Sequence, residues 1–357
     1  MIRALNFSLN LGNTKKLQAI RDLHEKYIVA VNIYLSLMSS QHKYFLSNQE
    51  ARSHNLNLHI AVRDCAYRQA VIIWKTWRRN KRKGNLPIYK GSMNLDKRFI
   101  LIQKAKNTKF DYWARISTLE KGKRAVIPFK SYDFANDYFN NWILSTSAKI
   151  KINNDGKIFL VLTFRKETPL KKDTGEQIGI DIGIKKLMVD SNGNQYGKKI
   201  EDKMDKIQRK QQGSKAFKRA LIERDEYINK TVKELPYGEL KTIAMEDIKN
   251  IKKNMKKEHR LRKEFRSKFQ RWTYTRIFDR ISQHCEAKGV LFSQVDPAYT
   301  SQTCNKCGFV STLNRNGEMF NCRQCNYKSD ADFNASLNIL NLSLAQEYLN
   351  PGRIGGL

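Results

Sequence analysis

Four cysteines fall in two Cys-x-x-Cys pairs, Cys304 with Cys307 and Cys322 with Cys325. Two such knuckles supply the four thiolates of a tetrahedral zinc site, and Gly308, Asn314, Asn316 and Gly317 between them suit tight turns. The spacer from Gly308 to Asn321 is a residue short of the commonest ribbon range, but two hairpin-like knuckles still fit. One Zn2+ held by all four cysteines has no open position, so it organises the fold and hydrolyses nothing. The competing reading, two disulfides or redox-active dithiols, is disfavoured because the sequence carries no secretory signal. Cys65 and Cys285 sit in apolar helical contexts and read as inert core residues.

Hydrolytic chemistry must come from elsewhere, and three acidic positions offer it. Asp181 lies in an apolar strand among isoleucines, flanked by Gly179 and Gly183. A carboxylate there is costly unless a cation compensates it, and the glycines leave room for something to approach. Glu246 closes the strand from Lys241 to Glu246; alone it is an ordinary end of a strand before Asp247. Asp330 and Asp332 open a helical run through Leu337, Ile339, Leu340 and Leu342, where either carboxylate would serve as an N-cap.

These residues need elements to position them. Ile2 to Leu11 alternates apolar and polar residues as a strand does, and Asn13 or Thr14 caps a helix from about Lys15 to Ser39. A second helix from about Leu58 to Arg79 runs into the cluster Trp74, Lys75, Trp77, Arg78, Arg79, Lys81, Arg82 and Lys83. The tryptophans read as core and the cations as phosphate contacts. Short strand-like segments follow from Leu86 to Arg165, with a hairpin signal at Asn153-Asn154-Asp155-Gly156, and together with the first strand they predict a small β-barrel interrupted by helices. A polar linker lies near Pro169 to Gly175.

Beyond the linker come a strand over Gln177 to Gly183, a hairpin at Ser191 to Asn194, and a charged helical stretch from about Lys198 to Leu235. Then come the Glu246 strand, a basic segment from Lys249 to Arg271, a helix with Trp272, Ile277, Ile281 and Cys285, and a strand from Gly289 to Val295. Strand, hairpin, strand, helix, strand, helix, strand, helix is the order of an RNase H-like α/β core. Its acidic stations are the end of the first strand, the end of the fourth and the start of the last helix, where Asp181, Glu246 and Asp332 fall. Three converging carboxylates suit two Mg2+ ions acting on a phosphodiester.

The composition names the partner. The chain of 357 residues has 67 Lys+Arg against 34 Asp+Glu, a formal charge of +33, with 10% aromatic residues. Such a charge opposes compaction and calls for a polyanion, and nucleic acid fits a folded chain of this kind better than a membrane. No apolar run is long enough to cross a bilayer and no signal or lipidation motif is present, so the expected setting is the prokaryotic cytoplasm, nucleoid-associated.

The segments GIDIGIKKL, AMEDIKN, VDPAYTSQTCNKCG, CRQC and DADFNASLNIL resemble the RuvC-type motifs and zinc ribbon of TnpB. TnpB proteins are RNA-guided nucleases of insertion sequences, ancestral to type V CRISPR effectors. The motifs span about Gln177 to Leu340; the N-terminal half is similar only in architecture. Asn326 stands where a glycine often follows the last cysteine, and Ser336 where an alanine does. The resemblance implies that Asp181, Glu246 and Asp332 are the catalytic acids, with Asp330 the fallback for the third, and that the four cysteines are structural. It implies an α+β multidomain fold. A β-barrel wedge over 1–11 and 86–170 is split by a helical recognition domain over 12–85. A RuvC-like nuclease over 176–303 and 326–350 carries a zinc ribbon over 304–325, followed by a tail at 351–357. The implied partners are a guide RNA made from the element's own end and double-stranded target DNA. Backbone contacts are expected from Arg78, Arg79, Lys81, Arg82 and Lys83, and from Lys252, Lys253, Lys256, Lys257, Arg260, Arg262 and Lys263. An RNA-guided repressor without cleavage would have lost an acid, and none is missing; a miniature type V CRISPR effector is the other alternative. A His-paired, tyrosine-dependent transposase is disfavoured because the six histidines are scattered.

Overall fold

The computed structural model describes residues 1–53, 56, 58–80, 84–248 and 273–349. The chain divides into two compact α+β units, Met1–Glu167 and Thr168–Leu357.

In the first unit, β1 (Ile2–Ser8) pairs antiparallel along its whole length with β7 (Ile158–Arg165). The four-stranded sheet is completed by β6 (Ile143–Ile152) and β2 (Met93–Leu95), in the order β1-β7-β6-β2. The β6–β7 connection turns at Gly156, whose φ of +76° suits glycine. A second, three-stranded antiparallel sheet joins β3 (Ile100–Lys104), β4 (Tyr112–Ser117) and β5 (Arg124–Phe129). Between β1 and β2 run α1 (Thr14–Ser40), α2 (Asn48–Ser53) and α3 (Ile60–Arg79). The Asn13 side chain caps α1 by accepting from the Lys16 N–H at 2.9 Å. The Tyr27 hydroxyl, buried on α1, donates to the Cys65 carbonyl of α3 at 3.2 Å. Trp74 is buried with its indole N–H on the Lys43 carbonyl, and Trp77 stacks on it at 5.2 Å. A further helix, α4 (Asp133–Asn141), has no counterpart in the sequence reading. Its Asp- and Asn-rich sequence reads as a loop, yet Phe139 stacks on Tyr112 at 4.0 Å and meets Phe164 edge-on at 5.0 Å. Tertiary packing overrides weak helix propensity there.

The second unit is built on a five-stranded sheet of order β10-β9-β8-β11-β12. Its strands are β8 (Glu176–Asp181), β9 (Met188–Asp190), β10 (Gln195–Tyr196), β11 (Leu240–Glu246) and β12 (Leu291–Val295). The β8, β11 and β12 strands run parallel, and β9 turns back on β8. The charged stretch expected as one helical region breaks in two, α5 (Ile200–Gln208) and α6 (Lys215–Val232). Gly213 at φ +86° and the Ser214 cap on the Phe217 N–H force the break. These helices and α7 (Tyr274–Lys288) share one core with Ile178, Ile180, Ile243 and Met245 of the sheet.

Among the alternate residues of these strands Gly179, Ala244 and Ser293 are small, and α8 (Ala331–Leu349) lies against this face. Ala244 and Val295 meet Ile339 there, and the Ser343 hydroxyl donates to the Ser293 hydroxyl at 2.9 Å. At Gly179 the two backbones nearly touch: a Cβ would stand 2.2 Å from the Ser336 carbonyl oxygen and 2.5 Å from the Leu340 nitrogen. Backbone cannot move aside as a side chain can, so Gly179→Ala is expected to lower unfolding stability by about 3 kcal/mol, the upper end for overpacking. An unchanged denaturant midpoint would contradict this close seat.

Between β12 and α8 lies a small three-stranded sheet of β13 (Arg315–Asn316), β14 (Met319–Asn321) and β15 (Lys328–Asp330), preceded by a 3-10 turn at Thr312–Asn314. No described helix is long and apolar enough to cross a membrane.

Candidate active site and metal centre

Parallel pairing of β8 with β11 sets Met245 beside Ile180, so the next residues along, Asp181 and Glu246, end neighbouring strands at the same edge. Asp332 stands in the first turn of α8, the helix seated on β8. All three carboxylates line one cavity of about 360 Å³, together with Asp247, Thr300 and Arg315. This brings together the three acids that the sequence spreads over its C-terminal half.

Their electrostatics follow from that convergence. Burial, then the charges of Glu246 and Asp332, push the Asp181 carboxyl well above the usual carboxylate range, with Arg315 opposing. Burial likewise raises Glu246, opposed by the Thr300 hydroxyl, which donates to Glu246 Oε1, and by Arg315. Asp332 is 8% exposed and is held by Arg315 Nη2 at 2.8 Å from its Oδ1, with Lys186 Nζ at 3.9 Å from its Oδ2.

Asp332 lines the cavity and Asp330 does not. Asp330 caps α8, its Oδ1 accepting from the Asp332 N–H at 3.0 Å and the Phe333 N–H at 3.1 Å. Burial would raise its carboxyl, but the paired Lys186 ammonium and those N–H groups outweigh it and hold it below the usual range. Asp190, also buried on this sheet, is likewise absorbed by structure: it accepts from the Asn192 and Asn194 N–H groups and from the Tyr196 hydroxyl. In the cavity, Glu246 accepts from the Thr300 hydroxyl and Asp332 from Arg315 Nη2.

The four cysteines converge as well. Each offers a sulfur, and the four lie within 4.8 Å of one another. Cys304 and Cys325 are 3.7 Å apart, Cys307 and Cys322 3.6 Å. Those separations are far beyond a disulfide's roughly 2.05 Å and near the edge of a tetrahedron with metal–sulfur bonds of about 2.3 Å. The two knuckles are built alike: Gly308 N–H bonds the Cys304 carbonyl, and Asn326 N–H bonds the Cys322 carbonyl. Gly308 and Asn326 have φ of +77° and +57°. Asparagine tolerates the left-handed region, which is how Asn326 replaces a glycine there.

Several residues that the sequence reading passed over tie this centre to the acids. Arg315, on β13, reaches Asp332. From α8, the Asn334 side-chain amide donates to the Thr303 carbonyl at 2.8 Å and its oxygen accepts from the Asn305 N–H. The Asn338 amide donates to the carbonyls of Thr300 and Thr303. The signal was present as asparagines inside an otherwise apolar helix, because buried amides need partners. Arg315 gave no such signal. The Ser336 hydroxyl donates to the Phe333 carbonyl, so it replaces alanine without an orphaned group.

Of the expected nucleic-acid contacts, the structure describes two. Arg78 lies over the Tyr44 ring at 4.0 Å, and Arg79 is exposed at the end of α3. Lys81, Arg82, Lys83, Lys252, Lys253, Lys256, Lys257, Arg260, Arg262 and Lys263 lie outside the described residues, as does the 351–357 tail.

Residues 274–339 match the family described as the Cas12f1-like TNB domain. Over 100 residues, 28% of this chain and 21% of the relative, the chain is 39% identical to the CRISPR-associated endodeoxyribonuclease Cas12f1 of Sulfoacidibacillus thermotolerans. Over 154 residues, 40% of this chain and 54% of the relative, it is 29% identical to the TnpB-like protein MJ0751 of Methanocaldococcus jannaschii. The chain thus spans between a fifth and about half of these relatives' lengths. In three dimensions 91% of it aligns with 82% of the matching chain in the cryo-EM structure of the Cas12f1–sgRNA–target DNA complex. The TM-score is 0.55 at 16% identity, a likeness of fold.

Proposed function

From its membership of the TnpB and Cas12f family, we infer that this chain is an RNA-guided DNA endonuclease. It would bind a guide RNA, read a short motif beside the target, and hydrolyse DNA at Asp181, Glu246 and Asp332. The observation that carries this reading is the convergence of those three carboxylates on one cavity, two of them held above their usual protonation range. Acids perturbed by burial and by one another's charge in a cleft are candidates for a functional site.

The site suits hard divalent cations. Its donors are carboxylate oxygens, and such a cation would offset both the burial and the mutual repulsion that raise Asp181. Asp181, Glu246 and Asp332 would hold Mg2+, which when bound supplies Lewis acidity and an activated water for phosphodiester hydrolysis. The chain's own contributions are distinct. Thr300 orients Glu246, Arg315 neutralises Asp332 and offers a fork for phosphate, and Ile182, Ile248 and Pro297 line the cavity with apolar surface that limits water. The four cysteines fit one structural Zn2+.

In the finer architecture proposed here, the second unit is a RuvC-like nuclease carrying a zinc ribbon. The first is a split barrel wedge holding a helical recognition domain. Delegating sequence reading to base pairing explains a net charge of +33, because gripping backbones needs cations and no base code. The Cas12f1 similarity favours a second source for the guide, a CRISPR array in place of a transposon end.

Sequencing the RNA that copurifies with the protein separates the two sources. The reconstituted complex is then offered a matched DNA target with randomised flanks and magnesium. Cutting dependent on guide match and on a short flanking motif is expected. Tight binding without cutting would favour a repressor, and neither binding nor cutting would overturn the proposal.

A further inference from the structure

The turn leading from β12 to the ribbon holds an aromatic residue where the backbone disfavours one. Tyr299 has a φ of +64°, in the left-handed region that strains bulky L residues. Its carbonyl fixes the turn, accepting from the N–H groups of Gln302 and Thr303 and from the Thr303 hydroxyl at 2.8–2.9 Å. Glycine or asparagine would make those backbone bonds with less strain.

The ring itself is left mostly uncovered. It is 64% exposed and, among the described residues, takes part in no ring–ring or cation–ring pair and no hydrogen bond through its hydroxyl. Its chain neighbours, by contrast, belong to the acid cavity: Pro297, Thr300 and Ser301 line it, and the Thr300 hydroxyl donates to Glu246. A bare aromatic ring is thus kept, against backbone preference, one residue from the group that orients an acid. Strain retained beside an active site points to a role there.

We propose that Tyr299 is a base-stacking residue: its ring takes a nucleobase of the single DNA strand entering the cavity and so sets which phosphodiester reaches Asp181 and Glu246. This rests on the nuclease reading above. Every base presents a π-face, so the contact positions a strand without reading its sequence.

The test uses the full chain with its RNA, the variants Tyr299→Phe and Tyr299→Asn, and target DNA in which a single abasic nucleotide is stepped through the cut region. Wild type is expected to lose about tenfold in both binding and cleavage at one abasic position, the size of one lost stack. Tyr299→Phe should keep that dip. Tyr299→Asn should cleave intact DNA about tenfold more slowly, show no dip, and melt no lower than wild type because asparagine accepts the left-handed conformation. A dip undiminished in Tyr299→Asn, cleavage by Tyr299→Asn equal to wild type, or loss of its stability together with cleavage would each overturn the proposal. If wild type cuts no DNA, the nuclease reading fails. The binding profile then still decides whether Tyr299 stacks on a base.

Discussion

Asp181→Asn is expected to lower DNA cleavage by about 10³-fold, the upper scale for losing electrostatic stabilisation at a reacting centre, because it removes a carboxylate that would hold the cation facing the phosphodiester. It should at the same time make the metal-free protein more stable. Asp181 ends β8 in a cavity with two further acids, and both burial and their charge resist its ionisation. Asparagine keeps the shape and removes the repelling charge. The sign with pH follows from linkage. A carboxyl raised in the folded state contributes stability that is fully present below the ordinary carboxyl range, near pH 4, and lost as pH climbs through the raised value. The stability of wild type relative to Asp181→Asn should therefore decline as pH rises from about 4, in chelator. Thermal melts of both proteins across pH, paired with single-turnover cleavage in magnesium, check both halves. A variant that cuts DNA at full rate, or one that melts lower than wild type at neutral pH, would contradict the assignment.

Cys304→Ser should be the second severe change. The ribbon's own buried cluster is only Cys304, Phe320, Cys322 and Ala331, with Tyr327 against it. So few apolar groups cannot offset the ordering of its turns, whereas structural zinc contributes on the order of 10 kcal/mol in comparable small sites at neutral pH. Serine is a poor zinc ligand, so the variant is expected to purify without stoichiometric zinc and to melt earlier. Cleavage should fall too, because Arg315 extends from the ribbon to Asp332 and Thr303 and Asn305 are clasped by α8. Zinc content by a colorimetric chelator, alongside melting and cleavage, reads all three. Full stability and activity without bound metal would show that the sulfurs converge for some other reason.

Much of this was legible in the sequence because chemistry and pattern coincided. Asp181 is conspicuous as a charge among isoleucines, and the paired Cys-x-x-Cys spacing carries its own geometry. The ambiguity between Asp330 and Asp332 was not resolvable there: both stand at a helix start, and only the side chains' directions reveal that one caps α8 while the other enters the cavity. Arg315 was invisible because a lone arginine in a hairpin has no periodicity or spacing to distinguish it among 67 Lys and Arg residues. Helix α4 was missed for the opposite reason. Its local sequence argues against helix, and the rings of Tyr112 and Phe164 that hold it come from distant strands.

The seat of α8 on Gly179 governs more than stability. Because main chain rests on main chain at that point, the offset between the first turn of the helix and the tip of β8 is fixed like a machined tolerance. Outward positions such as Leu342 and Leu344 can drift in size and polarity without altering where Asp332 arrives. Precision at the acid cavity is thereby uncoupled from the rest of the helix surface, which is left free to change.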